Sequence, residues 1–123
     1  MGSKIQEFLE ELDSIKHILE VTFASLKDTR LLMQCILSLS DTYEGVLSYL
    51  AENGEEKKGF SEIVLKSKEL KELSLGYKSG PKSFSRKEDY VVCAKNYKVQ
   101  VISSTSVQEY LGALRKFLLI ECE

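Results

Sequence analysis

The sequence predicts a mostly α-helical protein of the α+β class, an antiparallel three-helix bundle followed by a β-hairpin and a C-terminal helix. Three observations carry that reading. Apolar residues recur at three- and four-residue spacing over four separate stretches, the mark of a helix with one buried face. Between the third and fourth stretches the period drops to two, as in a half-buried strand. The breaks between stretches are short and carry Gly, Asn, Asp and Ser, so the elements follow one another closely. With 123 residues, 43% of them hydrophobic, the chain suffices for one core. It reads as a single helical-bundle domain over 1–123 with a hairpin insertion near 90–102.

The first stripe runs Ile5, Phe8, Leu9, Leu12, Ile15, Leu19, Phe23 and Leu26. Ser3 with Gln6 three residues on reads as its capping box, and Glu7, Glu10 and Glu11 suit the positive end of the helix dipole. Asp28 is placed to cap a second helix with the stripe Leu32, Cys35, Ile36, Leu39, Tyr43, Val46, Leu47 and Leu50, which Asn53-Gly54 ends. So short a break implies a helical hairpin. Residues 52 to 59 form a polar turn, and a third stripe follows at Phe60, Ile63, Val64, Ser67, Leu70, Leu73 and Tyr77. Gly76 and then Ser79-Gly80-Pro81 are expected to stop that helix.

Tyr90 to Cys93 and Tyr97 to Ile102 then read as the two strands of a hairpin. The second alternates Tyr97, Val99 and Val101 against Lys98 and Gln100. A lone two-stranded hairpin is marginal in water, so its apolar face is expected to rest on the helices or to pair with another sheet, such as that of a second copy. Ser103 to Ser106 supply a turn and two overlapping capping boxes, Thr105 with Gln108 and Ser106 with Glu109. The last helix follows, with Val107, Tyr110, Leu111, Leu114, Phe117 and Leu118 as its stripe.

Composition removes several functional classes. Cys35, Cys93, Cys122 and His17 lie far apart, with no CxxC or HxxxH spacing, so neither structural zinc nor a disulfide framework is expected. The cysteines read as free thiols in a reducing cytoplasm, with Cys122 near the end of the chain the one most open to oxidation. No apolar run approaches the roughly 20 residues needed to span a bilayer, and the charged N-terminal segment does not resemble a signal peptide. Gly2 lacks the Ser or Thr that a myristoylation signal wants at position 6, where Gln6 stands.

Catalysis finds little material. His17 lies one step off the first stripe, and no Arg precedes it, unlike the small helical HEPN ribonucleases, which place an Arg shortly before the active His. Cys35 sits on a core stripe, where an apolar thiol is the default. Phosphate cradles and nucleophile elbows have no motif here, and the adjacent pairs Glu10-Glu11 and Glu55-Glu56 point different ways on a helix. A non-enzyme without a cofactor is the expectation. The tyrosines, Tyr43, Tyr49, Tyr77, Tyr90, Tyr97 and Tyr110, are numerous for an interface, although Tyr43, Tyr77 and Tyr110 fall on core stripes.

The formal net charge of -2 conceals a partition. Residues 1 to 65 carry six basic and twelve acidic side chains, residues 66 to 98 nine and four, and residues 99 to 123 two and three. The middle segment is thus net +5, and it includes the least regular part of the chain, 78 to 87. Lys82, Arg86, Lys87 and Lys95 are candidates to hold phosphate oxygens, Ser83 and Ser85 to add hydroxyl donors, and Phe84 to offer a stacking face. The competing reading is a solvated lysine-rich helix face followed by a loop whose Phe84 plugs the core.

The stretch Ser-Gly-Pro-Lys-Ser-Phe-Ser-Arg-Lys-Glu-Asp-Tyr-Val-Val-Cys, residues 79 to 93, followed by Asn96 and Tyr97, resembles a segment of small uncharacterised archaeal helical proteins. In these, several helices precede Pro-x-x-Phe-x-Arg-Lys and Val-x-Cys. The matching residues are Pro81, Phe84, Arg86, Lys87, Val91, Cys93 and Tyr97, while Gly80 interrupts a Ser-Pro pair of the relatives. The resemblance implies no activity. Taken together, the sequence leads us to expect a cytoplasmic protein-interaction module that binds a protein partner or a second copy. The alternative is nucleic-acid or phosphate-ligand binding through the basic loop 78–98, and no membrane is involved.

Overall fold

The computed structural model describes residues 4–53, 59–79, 82–86, 89–93 and 99–121. Four helices and a three-stranded antiparallel sheet make up these residues. Helix α1 (Lys4–His17) passes without a break into a six-residue π-helical stretch (Ile18–Phe23) and a closing α-turn (Ala24–Leu26). Lys27, left-handed at φ 56°, ends it by donating its N–H to the Phe23 carbonyl at 2.7 Å.

The π stretch explains where the first stripe departs from expectation. Phe8, Leu9, Leu12, Ile15, Leu19 and Phe23 are buried as predicted, but Leu26 is 66% exposed. The wider π turn accommodates one extra residue, which rotates everything beyond it by about 100° and carries Leu26 off the buried face.

Helix α2 (Arg30–Asn53) starts under the predicted cap: the Asp28 carboxylate accepts the Arg30 N–H at 3.0 Å. The Arg30 side chain folds back onto the same carboxylate, with Nη2 to Oδ2 at 2.8 Å. This pairing holds the Asp28 carboxyl below its ordinary range and the guanidinium above its own. The predicted stripe of α2 is buried or half-buried throughout, and Met33, Ser40 and Thr42 are buried too, because α2 is central and packs on α1, on both later helices and on the sheet.

Helix α3 (Phe60–Ser79) runs through Gly76, which stays helical and buried, so the stop comes only at the Ser79 expected with it. Strands β1 (Lys82–Arg86), β2 (Asp89–Cys93) and β3 (Val99–Ile102) then form the sheet in the order β1-β2-β3. Helix α4 (Ser104–Glu121) closes the fold against α1, α2 and α3. Its cap is two to three residues earlier than the sequence suggested. Ser103 Oγ accepts the Ser106 N–H at 3.2 Å and Ser106 Oγ accepts the Ser103 N–H at 3.5 Å, a reciprocal box that Thr105 and Ser106 were expected to open.

The predicted architecture is therefore present, with two refinements. The helices form one four-membered assembly in which α1 packs on α2 and α4, and the hairpin 90–102 carries a third strand. Among the described residues no helix is long and apolar enough to cross a membrane.

Two glycines on these helices have opposite surroundings. A Cβ on Gly45 of α2 would come within 3.1 Å of the buried Phe8 ring of α1, so this glycine permits the close approach of the two helices. A Cβ on Gly112 of α4 would meet no atom within 4 Å. Gly112→Ala is therefore expected to stabilise the protein by about 0.5–1 kcal/mol through helix propensity alone. Gly45→Ala should forfeit that gain to displacement of Phe8. Paired urea titrations of the two variants measure the contrast.

Candidate interaction surface

The sheet is two-faced, and its register sorts the side chains. Tyr90 pairs with Ser85 and Ile102, and Val92 with Ser83 and Gln100, so these positions share the face turned to the helices. Tyr90, Val92 and Ile102 belong to the hydrophobic core, and Tyr90 meets Tyr77 of α3 edge to face at 6.1 Å. Val91 pairs with Phe84 and Val101, and Cys93 with Lys82 and Val99, so these positions share the opposite, outer face. There Phe84 is 47% exposed, Val101 44% and Val99 58%. Val91, flanked in register by Phe84 and Val101, is buried.

This placement corrects three expectations. The alternating valines of β3 do not rest on the helices; they face away from them, and Gln100 and Ile102 face inward instead. Phe84 neither plugs the helical core nor sits in a loop, since it lies in the middle of β1 on the outer face. The stretch 78–87, read as the least regular part of the chain, contains α3's last turn and strand β1, whose full length is in register with β2. A strand at that place went unseen because it has one apolar residue, and that residue points outward.

Of the candidate anion-binding residues, Lys82, Ser83, Phe84, Ser85 and Arg86 all lie on β1. The register divides them: Lys82, Phe84 and Arg86 hold outer-face positions, Ser83 and Ser85 inner-face positions. Ser85 is already engaged, because buried Thr29 donates its hydroxyl hydrogen to Ser85 Oγ at 2.5 Å and so ties β1 to the start of α2. Arg86 stands opposite Asp89, a carboxylate, across the β1–β2 pair. Lys87 and Lys95, together with Tyr97 and Cys122, lie outside the described residues. Within β1 the register thus places the candidate cations and the candidate serines on opposite faces.

The two edge strands of the sheet differ in chemistry. On β1 the edge residues alternate Lys82-Ser-Phe-Ser-Arg86, with cations near both ends, a device that discourages another strand from pairing. On β3 they are Val99, Gln100, Val101 and Ile102, uncharged throughout and β-branched at three of four positions. The only extensive packing partner of β3 among the described elements is β2.

Elsewhere the chemistry is structural. Cys35 is 1% exposed in the core, and burial pushes its thiol up to about 11, which keeps it protonated and unreactive at neutral pH. Cys93, on the outer face of the sheet, is a free thiol as well. No group of three or more His, Cys, Asp or Glu that could hold a metal ion occurs among the described residues. A cavity of about 350 Å³ lies between α2 and α3, lined by residues that include Ser40, Asp41, Glu44, Lys71 and Ser74. Ser74 Oγ has no hydrogen-bond partner but is sealed from solvent, so this cavity does not present it to a ligand. Compared with family models, curated proteins and solved structures, the chain finds no match.

Proposed function

We propose that this chain is a protein-interaction module, acting in the cytoplasm, whose docking surface is the outer face of the three-stranded sheet. One observation carries the reading: the valines of β3 and Phe84 of β1 are held on the face that the helical core leaves uncovered. A domain that orients β-branched and aromatic residues outward from a sheet whose other face packs on the helices exposes the kind of apolar patch that marks an interface. Phe84 supplies the aromatic anchor and the valines a dry surround. The reading assigns no catalytic residue and no cofactor.

A second reading is favoured by the spacing on β1. Lys82, Phe84 and Arg86 occupy successive outer-face positions, and a cation–aromatic–cation row is what a single nucleic-acid strand stacks on. The valines beside the row and the acidic Asp89 opposite Arg86 make the protein partner the better match.

A photo-crosslinking residue placed at position 84 of the full chain tests the choice in cells. The expected product is a nuclease-resistant protein adduct that disappears when Val101→Lys is added. Adducts that nuclease removes would assign the surface to nucleic acid, and no adduct beyond that of a crosslinker at exposed Glu10 of α1 overturns both readings.

A further inference from the structure

Resting on the reading of the sheet as a docking surface, we propose that a second copy of this chain extends it, paired antiparallel at β3 about a two-fold axis through Gln100, so that the outer faces of two copies form one docking surface. A two-fold axis perpendicular to a sheet preserves its faces, so each residue pairs with one an even number of positions away. Centred on Gln100, that rule sets Val99 opposite the second copy's Val101 and Val101 opposite its Val99. Both pairs lie on the outer face, where both valines are exposed. Cross-strand β-branched pairs are favourable, and Gln100 meets its own copy amide to amide, a donor and an acceptor on each side.

The same operation applied to β1 fails on charge. Centred on Phe84, it sets Lys82 directly opposite the second copy's Arg86, twice over, on one face of the sheet. Like charges facing one another across a strand pair repel, so this register is disfavoured on β1, while the residues of β3 carry no charge. This asymmetry decides the kind of assembly. Two self-pairing edges on one sheet would propagate into a fibre, whereas one open edge and one charged edge terminate at an isologous pair with a continuous six-stranded sheet. In that pair the two outer faces are contiguous, and each Phe84 is left at the flank of the enlarged patch.

Cysteine crosslinking with sedimentation equilibrium on the purified full chain provides the test. Residues directly opposite in an antiparallel pair have Cβ atoms about 5 Å apart, within reach of a short bismaleimide. Gln100→Cys is expected to yield a covalent dimer well above the level of the unsubstituted chain, whose own cysteines set the background, and Phe84→Cys is not. Val99→Lys should weaken association at least tenfold while leaving the far-UV circular dichroism unchanged, and should abolish the Gln100→Cys crosslink. Val99→Thr, still β-branched and uncharged, should retain it. Preferential crosslinking at position 84 overturns the proposal, since it puts β1 on the axis, and so does a chain that stays monomeric with no crosslink at 100. In the last case, an adduct at position 84 to a different protein in cells leaves the docking surface standing on a single copy. The absence of such an adduct removes both.

Discussion

Replacing Tyr43 by alanine is expected to cost about 4 kcal/mol of unfolding free energy, the magnitude found when a fully buried aromatic side chain is removed and the cavity cannot collapse. Tyr43 has no solvent exposure and lies on α2, the helix on which α1, α3, α4 and β2 all pack. Its hydroxyl donates to the Tyr110 carbonyl of α4 at 2.6 Å, and the Tyr110 hydroxyl donates to Glu69 of α3 at 2.8 Å, so three helices meet along one line of side chains. The carbonyl of Tyr110 also serves the α4 ladder, which means Tyr43 occupies its second lone pair. Tyr43→Phe therefore leaves no orphaned acceptor and should cost only about 1 kcal/mol. Urea unfolding with an unchanged denaturant slope separates the two terms, and a Tyr43→Phe loss equal to the alanine loss would contradict a packing origin. Alkali supplies an independent check. Burial raises the ionisation of both tyrosines above the ordinary value of 10.0, with Glu69 adding to the effect at Tyr110. An unfolded tyrosine then releases its proton before a folded one, so their contribution is intact below about pH 10 and declines as pH rises beyond it. Tyr43→Phe should flatten that decline.

Helical elements were legible in this sequence because each has one apolar stripe at helical spacing, and Asp28, the residue named to cap α2, does so. What eluded the sequence shares a physical cause, the competition of two signals within a few residues. From Ile15 to Phe23 the stripe advances by four residues at each step, which suits a π turn as well as an α-helix, and only the exposed Leu26 records the difference. In the sheet, Val99 and Val101 favour one parity and Ile102 the other. Tyr90, Val92 and Ile102 prevail because they carry more apolar bulk and because Ile102 immediately precedes α4, which is itself anchored in the core. Strand β1 has almost no propensity signal of its own. It forms where β2, buried on both faces, has a second row of backbone groups to satisfy. Phe84 was recognisable as a functional candidate, but the surface around it was not, since that depended on which way the valines turned.

The two faces of the sheet should respond in opposite ways to the same kind of change. Val92, the fourth residue of β2, has no exposure and lies in the core, with α2 and α3 packed against its strand. Val92→Asp sets a carboxylate among apolar core side chains, and the expected loss is about 4 kcal/mol or more, enough to unfold a domain of ordinary stability. Val101, one strand away and on the outer face, is 44% exposed. Val101→Lys should change the stability of the isolated chain by no more than about 0.5 kcal/mol, because the ammonium reaches water from that side of the sheet. Thermal unfolding at concentrations too low for association measures both. The contrast carries the functional argument: a fold that needs Val92 but not Val101 has a valine it does not spend on its own stability. Equal losses at the two positions would mean that the outer face is covered within a single chain, and that the patch built around Phe84 is core rather than surface.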